Sequence, residues 1–332
     1  MDRADTQDVQ RLYECYPYPY SLGNTEPDLL LSYIFRGHFL LNPLVGWRIL
    51  DAGCGTGHKL VGLAAVYPQA RFLGVELSWS SIAVARDLVN YHHLSNVEVR
   101  HGNILKLALD KQYDLVNAFG VVHHLEDPQR GLNNLCRALK EDGILSLWLY
   151  HALGESERLG QRELLLTLWG GSWHDMAEGQ AVMEQLGLSL EPTHYGPRYG
   201  PRNGREANPL EANADAFMHP IVFAYRFAEA MTMLHAAGME WAALDFINLP
   251  GAVKLINLSE VQDPFTATYC IGVADLLNSS ALQQRYRTLP KVDQLKVIEL
   301  TMRPRGFQIL AGKGQGYAKL APRVRGNVMY LK

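Results

Sequence analysis

The sequence predicts a doubly wound α/β fold, a mostly parallel sheet with helices on both faces, and three observations predict it. From Gly46 onward short apolar stretches alternate with amphipathic ones, the rhythm of right-handed crossover units. Glycine, proline or polar turn residues bound each stretch. A glycine-rich run, Gly53 to Gly57, follows the first apolar stretch, as a sharp turn from strand into helix requires. The chain has 332 residues, 48% hydrophobic and 20% charged, enough for one large core with insertions.

Each element follows from local pattern. Strands are expected at 47–51, 71–76, 97–101, 113–119 and 143–150, with helices at 59–67, 80–93 and 127–140 between them. After Tyr150 the rhythm breaks into helices at 155–168 and 177–186 and a Gly/Pro/Arg-rich loop at 191–208. Regular patterning resumes with a helix at 227–237, stopped by Gly238, and a strand at 239–247. A helix at 290–301 precedes a last strand at 307–311, and these last two strands are expected to pair antiparallel at the sheet edge. Ahead of Gly46, residues 6–15 read as a helix capped by Asp5 or Thr6, and 27–42 as an apolar helix. Between them lie Tyr16, Pro17, Tyr18, Pro19 and Tyr20, where two prolines hold an extended backbone and the tyrosines offer flat amphipathic faces. The expected organisation is an N-terminal helical arm or lid (1–45), a ligand-binding core (46–150), an insertion shaping the substrate region (151–225), and completion of the sheet (226–332) with a second insertion at 249–304.

Composition excludes several classes. A net charge of −3 and a pI near 6.5 argue against a nucleic-acid binder, which usually presents a basic surface. No apolar run reaches the roughly 18 residues of a membrane span, and the first residues lack the apolar stretch of a signal peptide, so a cytoplasmic location is expected. Cys15, Cys54, Cys136 and Cys270 form no CxxC pair; they read as buried thiols, with neither a zinc site nor disulfides, and no metal is expected. Residues 302–332 carry seven Lys and Arg and no Asp or Glu, and read as a solvated surface strand and tail.

The chemistry concentrates at the expected strand ends. Arg48, Ile49, Leu50, Asp51, Ala52, Gly53, Cys54, Gly55, Thr56, Gly57 enters as a strand and leaves as a helix, and its glycines let backbone approach a ligand where a β-carbon would collide. Polar contacts are then expected from the main chain. Glu76 ends the next strand, where a carboxylate can accept from two ribose hydroxyls. Asn103 and Ile104 follow the third strand, placed to read and cover a purine. A nicotinamide oxidoreductase is disfavoured, because its fingerprint is G-x-G-x-x-G and this chain reads G-x-G-x-G.

Over about residues 47–149 the sequence resembles the class I methyltransferases, whose first motif has the form (V/I)LD(x)GCGTG and whose second ends in an acidic residue. The resemblance implies a Rossmann-like sheet with an antiparallel last strand and S-adenosyl-L-methionine as cofactor, leaving S-adenosyl-L-homocysteine. It places Asp51, Gly53, Gly55 and Gly57 around the methionine part, Glu76 on the ribose, Leu77 and Ile104 on the adenine faces and Asn103 at its edge. The segment Asn117 to Pro128, with Phe119 in it, looks like a VLHHLEDP stretch of the family and would face the methyl group. Its His123 and His124 are candidate proton acceptors. The run Asp215, Ala216, Phe217, Met218, His219, Pro220 resembles runs in the bacterial subgroup with a Tyr-Pro-Tyr-Pro arm, and Asp215 with His219 is a candidate base pair at the pocket rim. Tyr13, Tyr16 and Tyr18 are the candidate lid. There is no (D/N)PP(Y/F) motif of the kind used on adenine or glutamine nitrogens. The implied activity is methyl transfer to an oxygen, nitrogen or carbon acceptor, a protein side chain or else a small aromatic or lipid molecule. A catalytically silent cofactor-binding regulatory module is the alternative of another class.

Overall fold

The computed structural model describes residues 4–19, 25–39, 44–171, 175–189, 209–262 and 267–332. Tyr20, the end of the expected helix at 27–42 and the loop at 191–208 lie outside the described residues.

Two helices precede the sheet. α1 is Thr6–Cys15, started by the Asp5 carboxylate, which accepts from the Gln7 and Asp8 N–H groups. α2 is Leu30–His38, shorter than expected. The core then follows as β1 (Arg48–Ala52), α3 (His58–Val66), β2 (Arg71–Glu76), α4 (Trp79–Tyr91), β3 (Val97–His101), β4 (Tyr113–Phe119), α5 (Pro128–Ala138) and β5 (Leu139–Tyr150). β1 pairs in parallel with both β2 and β4, so strand order reverses there and a crevice opens beyond their carboxyl ends. Ile49, Leu50, Leu115, Val116, Ile144 and Leu145 are fully buried, as strands covered by helices on both faces must be. β5 starts four residues earlier than expected because the chain passes from α5 into strand at Leu139, paired with Tyr113, and a bulge between Tyr113 and Leu115 absorbs the slip.

Beyond β5 come α6 (Ser156–Trp169), α7 (Met176–Gln185) and α8 (Pro209–Asn213), which runs into a π-helical turn, Ala214–Met218. α9 (Phe227–Ala236) leads into β6 (Trp241–Leu249), and the hairpin strand β7 (Ala252–Leu255) follows at once. α10 (Val273–Leu276), α11 (Ser280–Arg287), α12 (Lys291–Met302), β8 (Gly306–Gly312), α13 (Pro322–Gly326) and β9 (Met329–Tyr330) complete the chain.

The sheet order is β3-β2-β1-β4-β5-β8-β6-β7, a Rossmann-like sheet whose last strands run antiparallel. β6 and β8 do pair antiparallel, but the edge belongs to β7, inside the segment expected as a pure insertion. The basic tail also needs correcting. β8 is buried along its whole length between β5 and β6, and Arg323 is only 4% exposed. Of the thiols, Cys54 and Cys136 are buried, whereas Cys15 is exposed and Cys270 half-buried. No helix among the described residues is long and apolar enough to cross a membrane.

Buried ion clusters stitch the late segments to the sheet. Asp245 on β6 meets His38 Nε2 of α2 at 2.6 Å and the Arg323 guanidinium of α13 on its other oxygen. Burial alone would raise this carboxyl, yet Arg323 and His38 hold it well below the usual carboxylate range. Removing Arg323 leaves the buried Asp245 carboxylate with His38 as its remaining ion-pair partner and one oxygen unpaired. Arg323→Met is therefore expected to lower unfolding free energy by about 3–5 kcal/mol, read from the urea midpoint at unchanged slope.

Candidate active site

The turn after β1 carries the tightest local constraint. Gly55 has φ +54, and a β-carbon on it would lie 2.5 Å from the Tyr18 carbonyl oxygen of the arm. Gly57 has φ +78 and faces Ala85 of α4, 2.7 Å from where its β-carbon would be, so its requirement is helix packing. The expectation that the bend supplies main-chain donors is corrected by where its N–H groups go. Those of Gly53 and Cys54 donate to Val75 O, that of Gly55 to the Glu76 carboxylate at 2.9 Å, that of Thr56 to Tyr18 O at 3.0 Å and that of Gly57 to Cys54 O. The bend therefore offers a ligand close approach, not amide donors.

Glu76, at the end of β2, is held by three N–H groups, from Leu77 (2.8 Å) and Ser78 (2.9 Å) on one oxygen and Gly55 on the other. Burial raises its carboxyl, and those three donors pull it back. A carboxylate offers about four lone-pair positions, so capacity for hydroxyl donors is left on the Gly55 side. Asp51 is fixed in the same layer: Asn117 Nδ2 donates to it at 2.7 Å, Ser146 Oγ to Asn117 Oδ1 at 3.1 Å, and Gln308 Nε2 to Ser146 Oγ at 2.6 Å. This polar chain crosses β1, β4, β5 and β8. Burial pushes the Asp51 carboxyl up to about 6 against the Asn117 hydrogen bond.

A cavity of about 850 Å³ runs along this edge of the sheet. Asp51, Gly53, Gly55, Glu76, Leu77, Asn103, Ile104 and Phe119 line it, as do His124 and Asp215 and, from the arm, Tyr13 and Tyr18. Gly57, Tyr16, His123 and His219 are absent from the lining. Tyr16 packs on the cluster of Leu12, Trp169 and Phe217. Asn103 spends its Oδ1 on the Leu105 N–H at 2.8 Å, leaving its Nδ2 donors as the contrast to the acceptor expected for an adenine amino group. Phe119 already stacks on Trp148 (centroids 5.2 Å) with Lys59 Nζ 4.7 Å from its ring centre. Close backbone approach, a buried carboxylate with spare acceptor capacity and apolar Leu77 and Ile104 together fit a nucleoside carrying an amino acid.

The arm closes the cavity through polar contacts on both sides. Glu14 accepts from the Trp79 and Ser80 N–H groups, which start α4, and Ser78 Oγ donates to Tyr13 O. Tyr13 OH donates to Asp215 Oδ1 at 2.7 Å, joining arm to insertion. Burial raises Asp215 to about 6 despite that bond.

The histidines form a neutral stack. His123 sits between the Trp148 and Tyr150 rings, with neither ring nitrogen bonded among the described residues. His124 stacks on His219 at 3.8 Å. Burial drives His124 down to about 3 and holds His123 and His219 well below their ordinary value, so none stores a proton at neutral pH. Donor atoms of His124, Asp215 and His219 lie within 4.8 Å of one another, a spacing that would suit a metal ion. Hydrogen bonding opposes that use. Ile221 N–H donates to His219 Nδ1, so Nε2 of the neutral ring must carry the proton, while His124 Nδ1 donates to Ile221 O and keeps its lone pair on Nε2.

Residues that motif reading missed come from α6. Arg158 lies over the Tyr150 ring at 4.6 Å, pairs with Glu155, donates to Ala216 O and lines the cavity. Arg162 donates to His219 O and Pro220 O. A signal existed: Arg158, Arg162, Leu165 and Trp169 share one helical face, so two arginines interrupt an apolar stripe.

Comparison with known proteins gives the family. Residues 44–179 match a family described as a methyltransferase domain. A malonyl-[acyl-carrier protein] O-methyltransferase of Bacillus anthracis is 34% identical over 244 residues, covering 73% of this chain and 79% of that one. An uncharacterized protein of a Synechococcus strain is 27% identical over 323 residues, covering 90% of this chain and 70% of that protein. The solved structure of PKMT2 from Rickettsia typhi in complex with AdoHcy aligns with TM-score 0.56 at 17% identity, over 93% of this chain and 56% of that one, so the chain spans about half of the rickettsial protein. The chain belongs to the class I S-adenosylmethionine-dependent methyltransferases, and S-adenosylmethionine is its methyl donor.

Gly55→Val puts a branched side chain at positive φ against Tyr18 O. Affinity for S-adenosylhomocysteine is expected to drop at least about 30-fold, roughly 2 kcal/mol, while His124→Ala changes it less than about threefold. Titration calorimetry separates the two, and equal losses would show the division of roles to be wrong.

Proposed function

We propose that the cofactor lies along the ends of β3, β2, β1 and β4, with Glu76 on the ribose hydroxyls and Asp51 beside the amino-acid end. Leu77 and Ile104 then flank the adenine, Asn103 donates to a ring nitrogen, and Gly53 and Gly55 give the room for close approach. The observation that carries this reading is the Glu76 carboxylate, buried in the cavity wall with one side already fixed by Leu77 and Ser78. The bound group supplies an electrophilic methyl carbon on a sulfonium.

The chain's own residues do the rest by position. Tyr13 and Tyr18 close the arm over the cavity and exclude water, and Phe119, Tyr150 and His124 form the wall against which the acceptor is aligned. His124 acts as a neutral acceptor through Nε2, not as a proton store, and Asp215 holds Tyr13 in the closed position. The acceptor is a protein side chain or a small molecule. It enters from the half of the cavity lined by Trp148, Asn248, Lys254 and Arg305, beyond the cofactor.

The raised Asp51 carboxyl makes ligand binding depend on pH. Below pH about 6 this carboxyl takes up a proton and loses the charge that would face the ligand's ammonium group. Affinity for S-adenosylhomocysteine should therefore fall as pH drops from 7 to 5, by at most about tenfold per unit, and hold level from 7 to 8. Asp51→Asn should flatten the profile and weaken binding throughout. A flat wild-type profile over pH 5 to 7 would remove Asp51 from the contact.

A further inference from the structure

The cavity wall contains a cation whose hydrogen bonding is incomplete. Arg158 is 7% exposed; its Nε meets the Glu155 carboxylate and its Nη1 the Ala216 carbonyl. Its Nη2 is buried with no partner among the described residues. A buried guanidinium N–H without an acceptor is costly, and in native proteins it calls for a ligand, water or ion. Arg158 also lines the cavity beside Tyr150, the last residue of β5, and Asp215.

We propose that Arg158 Nη2 holds a carboxylate of the methyl acceptor, and that the oxygen methylated belongs to that carboxylate, so the product is a methyl ester. This rests on the cofactor placement above. A planar guanidinium fork is the side chain that best orients a carboxylate. The rest of the wall fits such an acceptor. An alcohol, phenol or ammonium group must give up a proton before it can attack, but His123, His124 and His219 are all held neutral with little basicity, and the Asp215 oxygen nearest the arm is taken by Tyr13. A carboxylate brings its own negative charge. An oxygen lone pair forms the new C–O bond to the methyl carbon as the S–CH3 bond breaks, and that bond's electron pair stays on sulfur. Sulfonium and carboxylate become thioether and ester, the charges cancel, and no proton moves.

Arg162, one turn on, is not part of the cavity lining. Its guanidinium donates to the His219 and Pro220 carbonyls and makes no ion pair among the described residues.

The test uses the full chain with methyl-tritiated S-adenosylmethionine and a clarified cell extract as the source of acceptors. The expected label is released as volatile methanol by mild alkali, which cleaves methyl esters and spares N-methyl and ether products. Alkali-stable label overturns the carboxylate assignment and leaves methyl transfer standing. Absence of any label, from protein that binds S-adenosylhomocysteine, overturns both. Once a labelled acceptor is purified, Arg158→Lys should raise its KM at least about 30-fold, with kcat changed much less and S-adenosylhomocysteine affinity retained; an unchanged KM removes Arg158 from the acceptor. Should that variant fail to fold, the wild-type complex with S-adenosylhomocysteine decides the matter. Titrated with benzoate and with benzylamine, it should bind benzoate alone, and preference for the amine overturns the proposal.

Discussion

The geometry of the site depends on one carboxylate. Glu76 terminates β2 and collects N–H groups from Leu77 and Ser78 behind it and from Gly55 across the crevice. Those bonds fix the glycine bend against the neighbouring strand, and with it the start of α3. They also hold the carboxylate in place before any ligand arrives, the preorganisation that keeps the ordering cost of binding low. Asp51 is fixed in a similar way by Asn117, Ser146 and Gln308. Gln308 lies on β8, so the strand inserted last into the sheet helps orient a side chain on the first.

The same bend docks the arm. With the Thr56 N–H donating to Tyr18 O, and Gly55 unable to carry a β-carbon there, the Tyr-Pro segment rests directly on the turn. Glu14 and Tyr13 then anchor α1 to α4 and to the insertion. Arm, core and insertion thus meet around the cavity, and the arm is joined to the insertion by the Tyr13–Asp215 bond, between residues 202 apart in sequence, and by the packing of Leu12 and Tyr16 on Trp169 and Phe217.

That separation explains what the sequence made legible. The strands and helices of 46–150 declare themselves through local periodicity and capping, as with Asp5 before α1 and Asp127 before α5, and their order implies the crevice. Tyr18, Asp215 and His124 were legible as candidates because their motifs are short. What could not be read was which faces they turn inward. His123 and His124 are adjacent, yet only the second lines the cavity, since the 3-10 turn at Val122–His124 directs them differently. Arg323 looked like part of a solvated tail because its partner Asp245 is 78 residues away. β7 was hidden in an expected insertion, being short and largely exposed, with little apolar alternation to mark it.

The buried histidine stack bears on chemistry as well as packing. Methyl transfer from a sulfonium needs alignment and exclusion of water more than acid or base assistance. A wall of rings kept neutral by burial, next to guanidinium groups that disfavour any further positive charge, suits that need. It also limits the acceptors served. A group that reacts as an anion can use such a wall as it stands, whereas one that must first lose a proton needs an acceptor nearby. Asp215, raised to about 6 and bonded to Tyr13 through Oδ1, has its other oxygen for that role. A proton taken up there would make Asp215 a weaker acceptor for the Tyr13 hydroxyl, whereas an acceptor that arrives deprotonated leaves that charge-assisted bond between arm and insertion intact.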